Sequence, residues 1–212
     1  MKNIPMFTTE NGAASLFLQE IPYCRRAHIK LRATQSPAAL LDECVSFCRA
    51  CGAEFIDASG HPYLEKYPLI TSVIEMQRGT EGMETTDAAL FPVLSENVSA
   101  WREIYNRRME NIPNAAYMIP AEEKTLLDSG DGYYIHRNGQ LLGIGRASGD
   151  TIDLVIAEQS GAGKDVVLAL ASLLTADTVK LTVASANLRA VRLYERLGFI
   201  PTKELSRWYR IV

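Results

Sequence analysis

Residues 187–199 read Asn-Leu-Arg-Ala-Val-Arg-Leu-Tyr-Glu-Arg-Leu-Gly-Phe. Asn187 is of the type that caps a helix start, because its short side-chain carbonyl can accept a bond from a first-turn N–H. Leu188, Val191 and Tyr194 or Glu195 then recur at helical spacing, and Gly198 supplies a C-terminal stop. Upstream of this helix, Thr178–Ala184 (TVKLTVA) is a β-branched run of strand type. Residues 164–174 (KDVVLALASLL) are apolar nearly all round, as expected of a helix packed on a sheet. Before them, Thr151–Ala157 (TIDLVIA) marks a buried strand that ends in the turn EQSGAG. The order is strand, glycine turn, helix, strand, helix, and residues 199–212 read as a closing strand pair.

The turn Ser160-Gly161-Ala162-Gly163-Lys164 joins a buried strand to a helix. Glycines let the backbone turn tightly with its N–H groups outward, and the helix N-terminus adds partial positive charge, so a pyrophosphate fits there. A glycine turn that only permits a tight connection is the simpler alternative. The ATP-binding spacing of glycines with a terminal Lys-Ser/Thr is absent, which disfavours a nucleotide hydrolase. With the glycine turn a strand's length ahead of it, the 187–199 stretch resembles the closing motif of the GCN5-related N-acetyltransferases. That ending, Asn-x-x-Ala-x-x-Leu-Tyr-Glu-Lys/Arg-x-Gly-Phe, is matched at every named position. The resemblance covers residues from about 85 to 212.

The resemblance implies an α/β fold with a mixed, mostly antiparallel central sheet flanked by helices, and acetyl-CoA as cosubstrate. It implies that backbone groups of Leu154, Val155, Ile156 and Ala157 pair with the pantetheine arm. It likewise implies that the N–H groups of Ser160, Gly161, Ala162, Gly163, Lys164 and Asp165 hold the pyrophosphate, and that Asn187 bonds the arm or a water. Tyr194 is then placed near the thioester sulfur as general acid. A phenol with a pKa near 10 is protonated at neutral pH and serves without a shift. The attacking amine is cationic and must lose a proton, and Asp153 on the strand or Glu158 at its end are the candidate bases, each also readable as a solvated strand-end charge. Glu158 departs from the family pattern, which has Gln or Arg three residues before the first glycine. An acidic group there opposes a pyrophosphate unless Lys164 or Arg189 offsets it. No Cys or Ser stands at an evident nucleophile position, so direct attack in a ternary complex is expected. The competing reading is a non-catalytic CoA-binding or regulatory module.

Further out, Gly132–Arg137 and residues 140–147 flank Asn138-Gly139, a strong hairpin signal. Residues 96–108 and 121–128 read as helices, and residues 79–84 (GTEGME) as a linker. The first 80 residues replay part of this order, with strands at 14–21, 27–32, 54–58 and 69–78 and helices at 37–51 and 61–67. This predicts a degenerate half-repeat over residues 1–80 and an acetyltransferase domain over 81–212. Its counterpart of the glycine turn reads RATQSPAAL, where Pro37 opens a helix and removes an N–H donor, so one cofactor site is expected. The first domain can extend the architecture, wall the substrate cleft or mediate a homodimer.

The chain has 212 residues, 47% hydrophobic, with 22 Lys and Arg against 25 Asp and Glu, a net charge of −3, which gives a globular chain with no basic run for nucleic acid. It lacks an apolar stretch long enough for a membrane span or signal core, so a cytoplasmic protein without membrane or nucleic-acid partners is expected. Cys44, Cys48 and Cys51 have a C-x3-C-x2-C spacing that resembles the cluster motif of radical S-adenosylmethionine enzymes. Within a predicted helix they lie along one stripe instead of converging on one iron site, so a buried apolar stripe is favoured, over zinc with Cys24 or His61 as well, and no metal is expected. His136, on a hairpin strand, reads as structural. The amine acceptor, a small molecule or a peptide terminus, is not legible.

Overall fold

A computed structural model describes residues 2–212, which divide into two compact units. One comprises residues up to Ser72 together with Leu205–Val212, and the other Val73–Glu204. The sequence places a boundary in the 79–84 linker. The division instead falls inside two long strands, and the last eight residues pack with the first unit.

The first unit opens with a hairpin, β1 (Ile4–Thr9) and β2 (Gly12–Phe17), followed by one helical turn α1 (Ile21–Cys24) and β3 (Arg26–Thr34). Helix α2 (Pro37–Ala50) then crosses to β4 (Phe55–Ser59), a 3-10 turn covers Pro62–Lys66, and β5 (Leu69–Gly79) leaves the unit. The expected strand at 14–21 stops at Phe17, because Pro22 sets a helical first turn, and β1 is an added strand that composition did not reveal. Antiparallel β1-β2-β3 is extended by β4, parallel to β3. Leu40, Leu41, Cys44 and Cys48 of α2 pack on Leu16, Ile29, Leu31 and Ile56. Cys44 and Cys48 are fully buried, and burial pushes both thiols up to about 12, which fits an apolar stripe.

The second unit contains β6 (Ala89–Pro92), α3 (Val98–Met109), α4 (Glu123–Ser129), then β7 (Gly132–Arg137), β8 (Gln140–Ser148) and β9 (Thr151–Ala157). Helix α5 (Gly163–Ala171), β10 (Thr178–Ala184), α6 (Leu188–Arg196) and β11 (Ile200–Arg210) complete the chain. Strand order is β5-β10-β9-β8-β7-β6, antiparallel except for β9 with β10. Each unit thus has a hairpin, an antiparallel third strand and a helical crossover to a parallel fourth, the repeat that the sequence suggests.

The closing strands are exchanged. In the first unit β4 is covered by Trp208, Tyr209 and Arg210 of β11, and in the second β10 pairs along its length with Val73–Gly79 of β5. The expected strand pair at 199–212 is therefore one strand. Residues 200–210 carry no Gly or Asn turn signal, and the division between the units falls within this strand.

Two cores flank the strands of the second unit. Val166, Val167 and Leu170 of α5 meet Leu181 and Phe199 on one face, and Trp101 of α3 meets Leu126, Ile144 and Ile156 on the other. Gly143 and Gly145 on β8 make the α5 packing close. A Cβ at Gly143 would stand 2.1 Å from the Ile156 carbonyl oxygen and 2.8 Å from Val166, and one at Gly145 2.4 Å from Leu170. No helix among the described residues is long and apolar enough to cross a membrane.

Candidate active site

Strands β9 and β10 pair at only two places, Thr151 with Lys180 and Ile152 with Leu181. Beyond these they part, although β9 stays bonded to β8 on its other side as far as Ala157. One backbone edge of β9 past Ile152 is thereby left without a strand partner, and polar backbone in such a place seeks a ligand or water. The corresponding parallel pair of the first unit does not part. Arg26 to Lys30 of β3 match Phe55 to Ser59 of β4 over all five residues, so that unit holds no equivalent opening.

The parted strands lead to the glycine turn. Gly161 takes a positive φ of 87°, which lets the chain reverse into α5, and the helix begins at Gly163. First-turn N–H groups have no intrahelical acceptor, so those of Gly163, Lys164 and Asp165 point out of the helix start. The Asp165 side chain turns aside, bonded to Arg137 at 2.5 Å and Thr86 at 3.0 Å; its burial is outweighed by those bonds, and its carboxyl lies below the usual range. Lys164 reaches Glu84 at 2.6 Å. Glu158 is clamped by the end of α3: Arg107 donates to one carboxylate oxygen at 2.6 Å and Arg108 to the other at 2.9 Å, and Arg108 also donates to the Glu158 carbonyl. The expected offset by Lys164 or Arg189 is thus supplied by two arginines from another helix.

Tyr194, on the last turn of α6, is 6% exposed, its ring 6.0 Å from that of Phe199. Burial raises its phenol well above the usual value. Asn187 caps α6, its side-chain oxygen accepting from Ala190 N–H at 3.2 Å. Both residues line two adjoining cavities. The first, about 300 Å³, runs past Val155, Ile156, Ala157, Gly161, Gly163 and Lys164, with Arg108, Arg189 and Arg196 at its walls. The second, about 260 Å³, is bounded by Asp153, Leu154 and Val155 of β9 and Thr182, Val183 and Ala184 of β10. The Asp153 carboxyl is raised by desolvation, and the opposing pull of Arg146 is partly cancelled by Asp131. Arg146 is itself held by Asp131 through bonds of 2.7 and 3.1 Å.

The structure therefore brings Val155, Ile156, Ala157, Gly161, Gly163, Lys164, Asn187 and Tyr194 to one cavity, and Asp153 and Leu154 to its neighbour. Ser160, Ala162 and Asp165 do not line either, and Glu158 does not either, its oxygens being occupied by Arg107 and Arg108. Sequence reasoning missed Tyr105, Arg108, Met109 and Ile112 of α3 and the segment after it; the Arg107-Arg108 pair at a helix end was the available signal. His136 packs edge-on to Phe91 and Tyr134, away from both cavities.

Compared with known proteins, the chain matches no protein-family model and no curated protein. Solved structures do match. A functionally unknown conserved protein of Staphylococcus epidermidis superposes over 96% of this chain and 91% of its own, at TM-score 0.59 and 12% identity. A tandem GNAT protein from the clavulanic acid biosynthesis pathway does so over 94% and 78%, at TM-score 0.53 and 13% identity. A GCN5-related N-acetyltransferase of Anabaena variabilis does so over 93% and 58%, at TM-score 0.58 and 13% identity. The chain has the fold of the GCN5-related N-acetyltransferases.

Proposed function

We propose that this chain is an N-acetyltransferase that moves an acetyl group from acetyl-CoA to a primary amine by direct attack. The observation that carries the reading is the parting of β9 from β10, with Tyr194 at the junction of the two cavities it opens. The larger cavity fits the cosubstrate: an unpaired strand edge for its amide arm, outward N–H groups at the start of α5, and arginines for its phosphates. Acetyl-CoA supplies a thioester carbonyl and a thiolate leaving group.

Asp153, in the neighbouring cavity, takes a proton from the ammonium group, directly or through water. The free amine then forms the C–N bond as the C–S bond breaks, and the Tyr194 hydroxyl gives its proton to the departing sulfur. The acylated nitrogen gives up its second proton, which returns to the Tyr194 phenolate directly or through water, Asp153 releases the ammonium proton to solvent, and the products are an N-acetyl amine and the CoA thiol. Burial of Tyr194 keeps the phenol protonated, the form an acid needs. The alternative of a non-catalytic module rested on Glu158, and its neutralisation by Arg107 and Arg108 removes that motive.

Calorimetric titration with acetyl-CoA and CoA, repeated on Gly163→Asp, tests the reading. A Cβ at Gly163 meets the tip of Leu193 at 2.8 Å, a flexible side-chain end that can shift, and the variant brings negative charge to the proposed phosphate position. Binding by the unaltered chain and its loss in the variant are expected. Equal binding by both would remove the turn from the cofactor site.

A further inference from the structure

In the second unit α5 covers one face of the strands and α3 with α4 the other. The first unit has α2 on one face and, among its described residues, no counterpart of α3 or α4 on the other. Strand alternation sorts the side chains between the two faces. Ala27, Ile29 and Leu31 of β3 point into the α2 core, as do Leu16, Ile56 and Tyr209 on its neighbours. The residues between them face the side without a helix, and they fall into two sets.

One set is a row of rings. His28 lies between Phe17 of β2, 5.6 Å away, and Trp208 of β11, stacked at 3.7 Å, while its Nε2 meets the Ser59 hydroxyl at 2.9 Å. Phe17, at the end of the row, is 38% exposed. The other set is charged: Arg26, Lys30 and Arg32 on β3 and Arg210 on β11, against Asp57 on β4. Asp57 is 4% exposed and is already bonded by Arg210 at 2.9 Å. Arg32 donates to the Ser15 hydroxyl at 3.0 Å, and neither Arg26 nor Lys30 has an ion pair. The carboxylates of Glu54 and Glu65 are spent elsewhere, on Arg25 and Arg207. A chain of net charge −3 thus gathers an excess of positive charge on one face of one unit. No basic run announces it in the sequence, because the pleat collects alternate residues.

The occupant of such a face is anionic. Like charge opposes a second copy seated on it through the same surface. Lys30 and Arg32 stand roughly 6.6 Å apart along one strand, which suits a chain of repeated negative charges better than a single anion. An acidic peptide would use the cations alone, whereas a strand of bases uses the cations and the exposed ring together. In a duplex the base faces are already stacked on one another. We infer that this face binds single-stranded nucleic acid, with phosphates at Arg26, Lys30 and Arg32 and a base stacked on Phe17. This goes beyond acetyl transfer and does not depend on it.

The test is a titration of a fluorescein-labelled oligouridylate with the full chain, followed by anisotropy. With three phosphates neutralised, affinity should fall about twentyfold between about 50 and 200 mM salt. Phe17→Ala should weaken binding at least about fivefold. The Lys30→Gln, Arg32→Gln double variant should weaken it by at least about fivefold and flatten the salt dependence, and Lys30→Glu with Arg32→Glu should abolish it. Circular dichroism and thermal melting of each variant report whether the fold is kept. A duplex of equal length should bind less tightly than the single strand.

No binding at about 100 µM protein in low salt would overturn the inference. So would undiminished binding in both double variants or in Phe17→Ala, or tighter binding of the duplex. Displacement of the oligouridylate by a lower concentration of oligoglutamate of equal charge would assign the face to an acidic protein segment instead. A dimer in sedimentation that the double variants disperse would assign it to a second copy.

Discussion

Replacing Tyr194 by Phe removes one hydroxyl and leaves a ring of nearly the same size. The ring is 6% exposed and packs at 6.0 Å on Phe199, so its apolar burial and aromatic contact persist in the variant. Stability should then change by less than about 1 kcal/mol. Activity should change far more. A positioned general acid contributes roughly 10²–10⁴-fold, which at 1.36 kcal/mol per decade is about 3–5 kcal/mol of barrier. Because the hydroxyl acts only as the C–S bond breaks, the fall belongs in kcat, with the KM for acetyl-CoA nearly unchanged. The pH profile gives a second check. Burial raises the phenol above its ordinary pKa near 10, so the protonated form persists as pH rises and no loss of rate should set in at pH 10 from this group. Thiol release from acetyl-CoA, followed against pH with the best amine, measures both quantities. A Phe variant that retains its kcat within about threefold would refute the assignment of Tyr194 as acid.

His28 is half-buried beside Lys30, stacks on Trp208 at 3.7 Å and is pushed down to about 3, desolvation being the larger cause. Its folded value lies below its unfolded 6.5, so the stability it contributes is present above pH 6.5 and is lost as pH falls toward 3. From pH 6.5 to 4.5 the unaltered chain should lose about 2 kcal/mol that His28→Gln does not lose, and urea titrations with parallel pH dependence would contradict this. Gly143→Ala places a methyl 2.1 Å from the Ile156 carbonyl oxygen. It should cost about 1–3 kcal/mol, whereas calorimetry showing an unchanged Tm would mean that β8 and β9 can separate freely. Glu158→Gln frees Arg107 and Arg108 to face the cosubstrate phosphates. Acetyl-CoA should bind about threefold more tightly in low salt, the gain fading as salt screens it; weaker binding would show that the clamp itself shapes the site.

The order of elements was legible because its signals are local. Asn187 caps α6 as its position suggested, Gly198 follows the helix end with a positive φ of 85°, and Pro37 opens α2. Tyr194 could be put forward as a candidate because the motif that carries the resemblance is written in consecutive residues. What stayed hidden is non-local. Nothing in TIDLVIA or TVKLTVA says that their pairing stops after two residues, since that depends on which strands lie on each side. Arg107 and Arg108 meet Glu158 across about fifty positions of chain, a distance no pattern bridges. Residues 199–212 read as a strand pair, whereas Ile200–Arg210 form one strand, because nothing local says which strand its far end will meet.

The exchange of β5 and β11 gives the order of synthesis a structural meaning. As the chain leaves the ribosome, β4 emerges about 150 residues before Trp208 to Arg210, which cover its edge. Until that stretch is made, the first unit has an open strand edge, the kind of surface that invites pairing between neighbouring chains. The second unit has the opposite timing, since its β5 partner is made before β10. A chain cut before Trp208 would spare the residues around Tyr194 and yet leave the first unit unfinished. Recombination at the glycine linker would fare no better, because each half would depart carrying the strand that the other needs.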